Sequence, residues 1–111
     1  LETLPDEVEG LERAFLESEY PPTREGLLGH CHADKTHDAL ARLDRIVAPT
    51  LITCGEQDVQ VPRRYGREVA RRIAGARFHL FRGRRASHLT CLEKPDVFNK
   101  VSLDFLAEVA S

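Results

Sequence analysis

The chain has 111 residues, 41% hydrophobic and 31% charged, enough for one small domain with its own core. Its formal net charge of -2 argues against a nucleic-acid or membrane partner, and no apolar run approaches membrane-spanning length. Cys31, Cys54 and Cys91 are odd in number and lack C-x-x-C spacing, which suits a reducing compartment and sets the expected location as cytoplasmic.

Residues 5–18 read as a helix, with Thr3 as a cap, Pro5 in the first turn and Leu11 and Phe15 four apart. Tyr20-Pro21-Pro22 ends it, because proline cannot continue a helix. Thr23 then caps a second helix, with Leu27, Leu28 and Cys31 on one face. A short helical stretch is predicted over 37–44, with Leu40 and Leu43 inward.

The texture changes at Ile46-Val47-Ala48-Pro49. Residues 50–54 form a short apolar run rich in β-formers, the mark of a strand buried on both faces. Residues 62–74 read as a helix, with Pro62 in its first turn and Gly75 past its end. Tyr65, Val69 and Ile73 form its apolar stripe, and Arg63, Arg67 and Arg71 share another face. Phe78–Phe81 is a second strand, followed by a turn at Gly83. A last helix starts near Pro95 and is expected to bury Val97, Phe98, Val101, Phe105 and Val109. The arginine-rich stretch 61–85 reads as a solvated face and a polar turn; steering of an anionic substrate or nucleic-acid binding is the less favoured use.

Strand, helix and strand in that order make a parallel pair joined by a right-handed crossover. Both following loops then leave the same sheet edge, where open α/β sheets place their sites. Asp58 follows the first strand and His88 the second, so the two become neighbours there. An acid beside an imidazole is two thirds of a nucleophilic triad. Two parallel strands do not make a stable sheet by themselves, and the chain contains no Met. The expectation is a C-terminal piece of a larger protein, or a chain that pairs with another.

The run Ile46-Val47-Ala48-Pro49-Thr50-Leu51-Ile52-Thr53-Cys54-Gly55-Glu56-Gln57-Asp58 resembles the end of an α/β-hydrolase-fold protein, in which "I-x-x-P-T-L" runs into "G-x-x-D". Val61-Pro62, Ile73-Ala74-Gly75-Ala76-Arg77, Ser87-His88, Glu93-Lys94-Pro95 and the apolar last helix ending in Phe105-Leu106 fit the same pattern. Residues 33–43 resemble the end of the helical cap of enol-lactonase-like and related small-ester hydrolases. The resemblance covers residues 33–110; residues 1–32 fit the cap by position and helical character.

The fold implied is α/β: the end of a helical cap over 1–45, then over 46–111 the last two parallel strands with their crossover helix and a C-terminal helix. The resemblance makes Asp58 the triad acid and His88 the base of a serine-type hydrolase acting on a carboxylic ester or lactone. Haloperoxidase-like and C–C bond hydrolases share these motifs. The nucleophile elbow G-x-S-x-G and the oxyanion-hole loop are absent from the chain. Gly29-His30-Cys31-His32-Ala33 imitates an elbow as G-x-C-x-A, but residues 24–28 make an unconvincing strand before it. Metal binding by His30, Cys31 and His32 is disfavoured, since adjacent helical residues point apart.

No cofactor and no metal are expected. The implied partners are a small-molecule ester or lactone and the missing N-terminal half of the fold or a partner chain, with a homo-oligomer left open. The alternative is a non-catalytic truncated or split hydrolase module that associates through its open sheet edge. Asp38 is read as structural, capping the short helix or closing the cap against the main domain, and Arg82, Arg84 and Arg85 as exposed turn charge.

Overall fold

The computed structural model describes residues 5–110. The chain divides into two compact units, Leu1–His37 and Asp38–Ser111.

The first unit contains helices α1 (Pro5–Leu16) and α2 (Arg24–Thr36). Thr23 caps α2: its side-chain oxygen accepts the Gly26 N–H at 3.0 Å, satisfying a donor that the first helical turn leaves open. No residue of α2 is buried, so Leu27, Leu28 and Cys31 share an exposed face. Thr3, the expected cap of α1, lies outside the described residues, as does the side chain of Leu11.

The second unit is built on a two-stranded parallel sheet. Strands β1 (Leu51–Gly55) and β2 (Arg77–Phe81) pair in register from Leu51 opposite Arg77 to Gly55 opposite Phe81. Helix α3 (Arg63–Arg72) forms the crossover. It lies close against the sheet at Gly66, which is buried. A Cβ on Gly66 would stand 2.3 Å from the Cys54 sulfur and 3.3 Å from the Phe78 ring, so a larger residue would push α3 off β1. Ile73 buries the end of the expected stripe and Val69 is half-buried, but Tyr65 is exposed and stacks under Arg64 at 4.7 Å. Gly75 then turns the chain with φ 73°, a conformation open to glycine, and the Arg77 N–H bonds to the Thr50 carbonyl at 2.9 Å to begin the ladder.

Before β1, the expected helix over 37–44 is a 3₁₀ helix at Leu40–Arg45. Asp38 Oδ1 accepts the Leu40 N–H at 3.0 Å. Leu43 is buried, whereas Leu40, expected inward, is exposed. Residues three apart eclipse in a 3₁₀ helix, so Leu40 and Leu43 lie along one side of it, and the surface beneath covers the Leu43 end alone. This helix contacts α3 and lies in the second unit.

After β2, a one-turn helix α4 (Thr90–Glu93), absent from the sequence expectation, precedes α5 (Pro95–Val109). Helix α5 meets β2 through Phe98, whose ring centroid is 5.9 Å from that of Phe81, and through Arg77, which pairs with Glu108 and lies over the Phe105 ring at 5.4 Å. Phe98, Val101 and Phe105 are half-buried, but Val97 and Val109 are exposed, against the expectation that all five are buried. Two strands present too narrow a surface to cover a whole helix stripe. For the same reason β1 is buried at Cys54 and Gly55 and half-buried before them, rather than enclosed on both faces along its length. The core is Leu43, Cys54, Ile73, Phe81 and Ala86. No helix among the described residues is long and apolar enough to cross a membrane.

Candidate functional site

The carboxyl ends of β1 and β2 lie side by side, and each chain segment turns there. The β1 segment continues into a turn in which the Asp58 N–H reaches the Gly55 carbonyl at 3.3 Å. Asp58 Oδ1 accepts two backbone N–H groups, from Gln60 and Val61, each at 2.9 Å. This is the local chemistry that makes aspartate a turn residue: a short side chain that bonds the backbone two and three residues on. The same bonds aim Oδ2 the other way, toward the loop after β2.

That loop is pulled across the end of β1. The Glu56 N–H bonds to the Phe81 carbonyl and the Gln57 N–H to the Ala86 carbonyl, both at 2.9 Å. The passage over Gly55 is tight: a Cβ there would lie 2.2 Å from the Ser87 carbonyl oxygen and 2.3 Å from that of Ala86. Glycine is the residue that permits this approach. His88, next in the chain, then brings its Nδ1 to 2.9 Å from Asp58 Oδ2.

The carboxylate is 8% exposed and the imidazole 41% exposed. Burial pushes the Asp58 carboxyl up, but the Val61 N–H, the hydrogen bond and charge of His88 and the Gln60 N–H together outweigh it and hold the group below its ordinary value. A carboxylate only accepts, so the ring proton belongs on Nδ1. Nε2 then carries the lone pair, and it makes no hydrogen bond among the described residues. An imidazole so held is a base with its orientation and tautomer set by an acid.

Two further carboxylates hold the loop, and the sequence reading assigned neither a role. Glu56, just after β1, accepts the Gly83 N–H on Oε2 at 3.0 Å, while its Oε1 faces Arg63 at 3.5 Å and Arg82 at 3.9 Å. Glu93 Oε2 accepts both the backbone N–H and the hydroxyl of Ser87, at 2.9 and 2.8 Å. Ser87 is thus a donor to Glu93. Lys94 closes the far side, its Nζ donating to the Arg82 carbonyl at 2.9 Å. The spacing of Glu93 from Ser87 was visible in the sequence, but it has the form of no standard helix or turn pair.

The other candidates fall elsewhere. Cys31 lies inside α2 and is exposed, with helix rather than a strand before it, so G-x-C-x-A is not an elbow. Burial, and secondarily the charge of Asp58, push the Cys54 thiol up, keeping it protonated. No group of three or more His, Cys, Asp or Glu among the described residues is arranged to hold a metal ion.

No protein-family profile matches the chain. Over 70 residues it is 39% identical to a 2-hydroxy-6-oxo-6-phenylhexa-2,4-dienoate hydrolase of Burkholderia cepacia, covering 63% of this chain and 24% of that protein. Its structure is similar to that of the enol-lactonase from Burkholderia xenovorans LB400, with a TM-score of 0.73 and 32% identity, covering 91% of this chain and 38% of the other. It is also similar to a hydrolase from Pseudomonas aeruginosa PA01, with a TM-score of 0.70 and 30% identity, covering 96% and 45%. The chain carries part of an α/β-hydrolase fold, and the proteins it is similar to are hydrolases of that family. It spans about a quarter of the length of the curated relatives it matches, as the 24% coverage states.

Proposed function

We propose that this chain supplies the acid and base of a serine-type hydrolase whose substrate is a carboxylic ester or lactone. The observation that carries the proposal is the contact of His88 Nδ1 with Asp58 Oδ2 at 2.9 Å, at the carboxyl ends of two paired parallel strands. In the proposed mechanism His88 Nε2 takes the proton of a serine hydroxyl held elsewhere in the fold. The oxygen attacks the carbonyl carbon, and the alcohol leaves with the proton from His88. Water, deprotonated by the same nitrogen, then cleaves the acyl-enzyme. Asp58 keeps the tautomer and stabilises the imidazolium formed in each half-reaction.

In this scheme residues 1–45 are the end of a helical cap and 46–111 the C-terminal βαβα part of the core, with the remaining strands supplied by the rest of the protein or by a partner chain. The three free cysteines accord with a cytoplasmic setting. One observation favours a second substrate class. The sequence relatives at 38–41% identity include several 2-hydroxy-6-oxo-dienoate and -dienedioate hydrolases, so a keto-dienoate is the alternative for the same acid and base.

The test is hydrolysis of a chromogenic short-chain ester, a lactone and a keto-dienoate by the intact protein and by its His88→Ala variant. Turnover that disappears with His88 supports the proposal, and the preferred substrate chooses between the two classes. A variant that keeps full activity removes His88 from the chemistry.

A further inference from the structure

We propose that Glu93 is a positioning residue for His88, acting through Ser87. The inference rests on the hydrolase reading of the Asp58–His88 pair and extends it to the group that places the base.

The peptide between Ala86 and Ser87 is clamped from two sides. On one side the Ala86 and Ser87 carbonyls press on Gly55 with no room for a Cβ, and the Ala86 carbonyl takes the Gln57 N–H. On the other, a single oxygen of Glu93 takes both donors of Ser87, the backbone N–H at 2.9 Å and the hydroxyl at 2.8 Å. Both are part-buried, charge-assisted bonds, which are shorter and stronger than neutral ones. His88 follows Ser87 directly, so a fixed Ser87 fixes the point from which the imidazole swings. The remaining freedom is taken up by Asp58 at Nδ1.

Glu93 is itself secured. It closes α4, its N–H bonded to the Leu89 carbonyl at 2.9 Å, and its neighbour Lys94 donates to the Arg82 carbonyl at the start of the same loop. Helix α4 therefore serves as a one-turn bracket. It starts just after His88 and folds back to hold the residue just before it.

Removing the carboxylate leaves the Ser87 N–H and hydroxyl without their acceptor and frees the backbone on which His88 stands. Misplacement of a catalytic base by about 1 Å costs about 10²-fold in rate. Glu93→Ala is therefore expected to lower kcat by up to that factor with KM little changed, and to let neutral His88 populate both tautomers. Glu93→Gln, whose amide oxygen still accepts, restores most of the effect. Ser87→Ala keeps the backbone bond and falls between.

The experiment uses the intact protein with these three variants and Asp58→Asn. It reads ester turnover, thermal midpoint, and the imidazole nitrogen resonances of His88 as a function of pH. The expected result is a changed tautomer balance and titration of His88 in Glu93→Ala, recovered in Glu93→Gln. A folded Glu93→Ala protein whose His88 resonances and titration match the parent overturns the proposal. If Glu93→Ala does not fold, Ser87→Ala decides: unchanged His88 resonances overturn the proposal, and a shifted tautomer balance supports it. If the parent hydrolyses nothing while Glu93→Ala still alters His88, the hydrolase reading fails and the positioning role stands.

Discussion

The turn after β1 and the loop after β2 leave the same edge of the sheet and meet at one hydrogen bond, yet they are held by different means. Asp58 is fixed by its own neighbours: the Gly55 carbonyl, and the N–H groups of Gln60 and Val61. His88 has no such local support. Its loop is held by Glu56 at Gly83, by Gln57 at Ala86, and by Glu93 at Ser87. The Asp58 carboxylate is nearly enclosed at 8% exposure, while the His88 imidazole stands 41% exposed. Asp58 is therefore held by its own turn, and His88 is brought to it by contacts made elsewhere along its loop. Damage far from the chemistry should reach His88 more readily than Asp58.

The largest break in this comparison is at the shared bond. Asp58→Asn replaces an acceptor by an amide that can present its NH₂ to Nδ1, favouring the wrong tautomer, and is expected to lower kcat about 10⁴-fold with little change in KM. Steady-state kinetics on the intact protein check it, and a loss no greater than that of Glu93→Ala would reverse the order of importance of the two carboxylates.

Gly55→Ala strikes the crossing itself. Its Cβ would meet the Ser87 and Ala86 carbonyls, so the loop must lift away from β1. The expected cost is about 1–3 kcal/mol of stability, as for other overpacked sites, together with a loss of turnover. Denaturant midpoints measure the first; a midpoint equal to the parent's would show that the loop gives way at no cost.

The third test sharpens the contrast through pH. Asp58 has its folded value depressed, so its stabilisation is fully present above the ordinary carboxyl value of 3.8 and is lost as pH falls through the lower folded value. Stability measured through that acid range should decline in the parent, and Asp58→Asn should flatten the part of the slope due to this group. An unchanged slope would mean that the turn bonds do not discriminate between the charged and neutral carboxyl.

The smallest effect is expected at Arg82. Its guanidinium is exposed and 3.9 Å from Glu56, a pair worth less than about 1 kcal/mol, and the Lys94 bond to its backbone carbonyl survives Arg82→Ala. Thermal melts should barely move. A large drop would mark Arg82 as part of the loop's support.

The elements were readable because their signals are local. Thr23 caps α2 as its position implies, and Pro95 opens α5. The apolar run after Pro49 is a strand, and Phe78–Phe81 lies within the second. The errors share one cause. Leu40, Val97 and Val109 are apolar and correctly spaced, yet exposed, because periodicity names a face without saying how wide a surface meets it. That Asp58 and His88 become neighbours was legible from strand order. Glu56, Glu93 and the crossing at Gly55 were not, because nothing in their spacing announces a bond formed across a loop.

By itself the sequence determined the order of strand, crossover helix and strand, and hence that an aspartate and a histidine leave the same sheet edge. Helix periodicity, caps and strand formers act over a few residues, and a parallel pair leaves both exits on one side. Only the tertiary structure decided that Nδ1 and Oδ2 stand at hydrogen-bond distance. That distance depends on the register of Gly55 opposite Phe81, on the carbonyls pressed over Gly55, and on the hold of Glu93 on Ser87. Each is a contact set by packing, and a local pattern of residue types carries no measure of it.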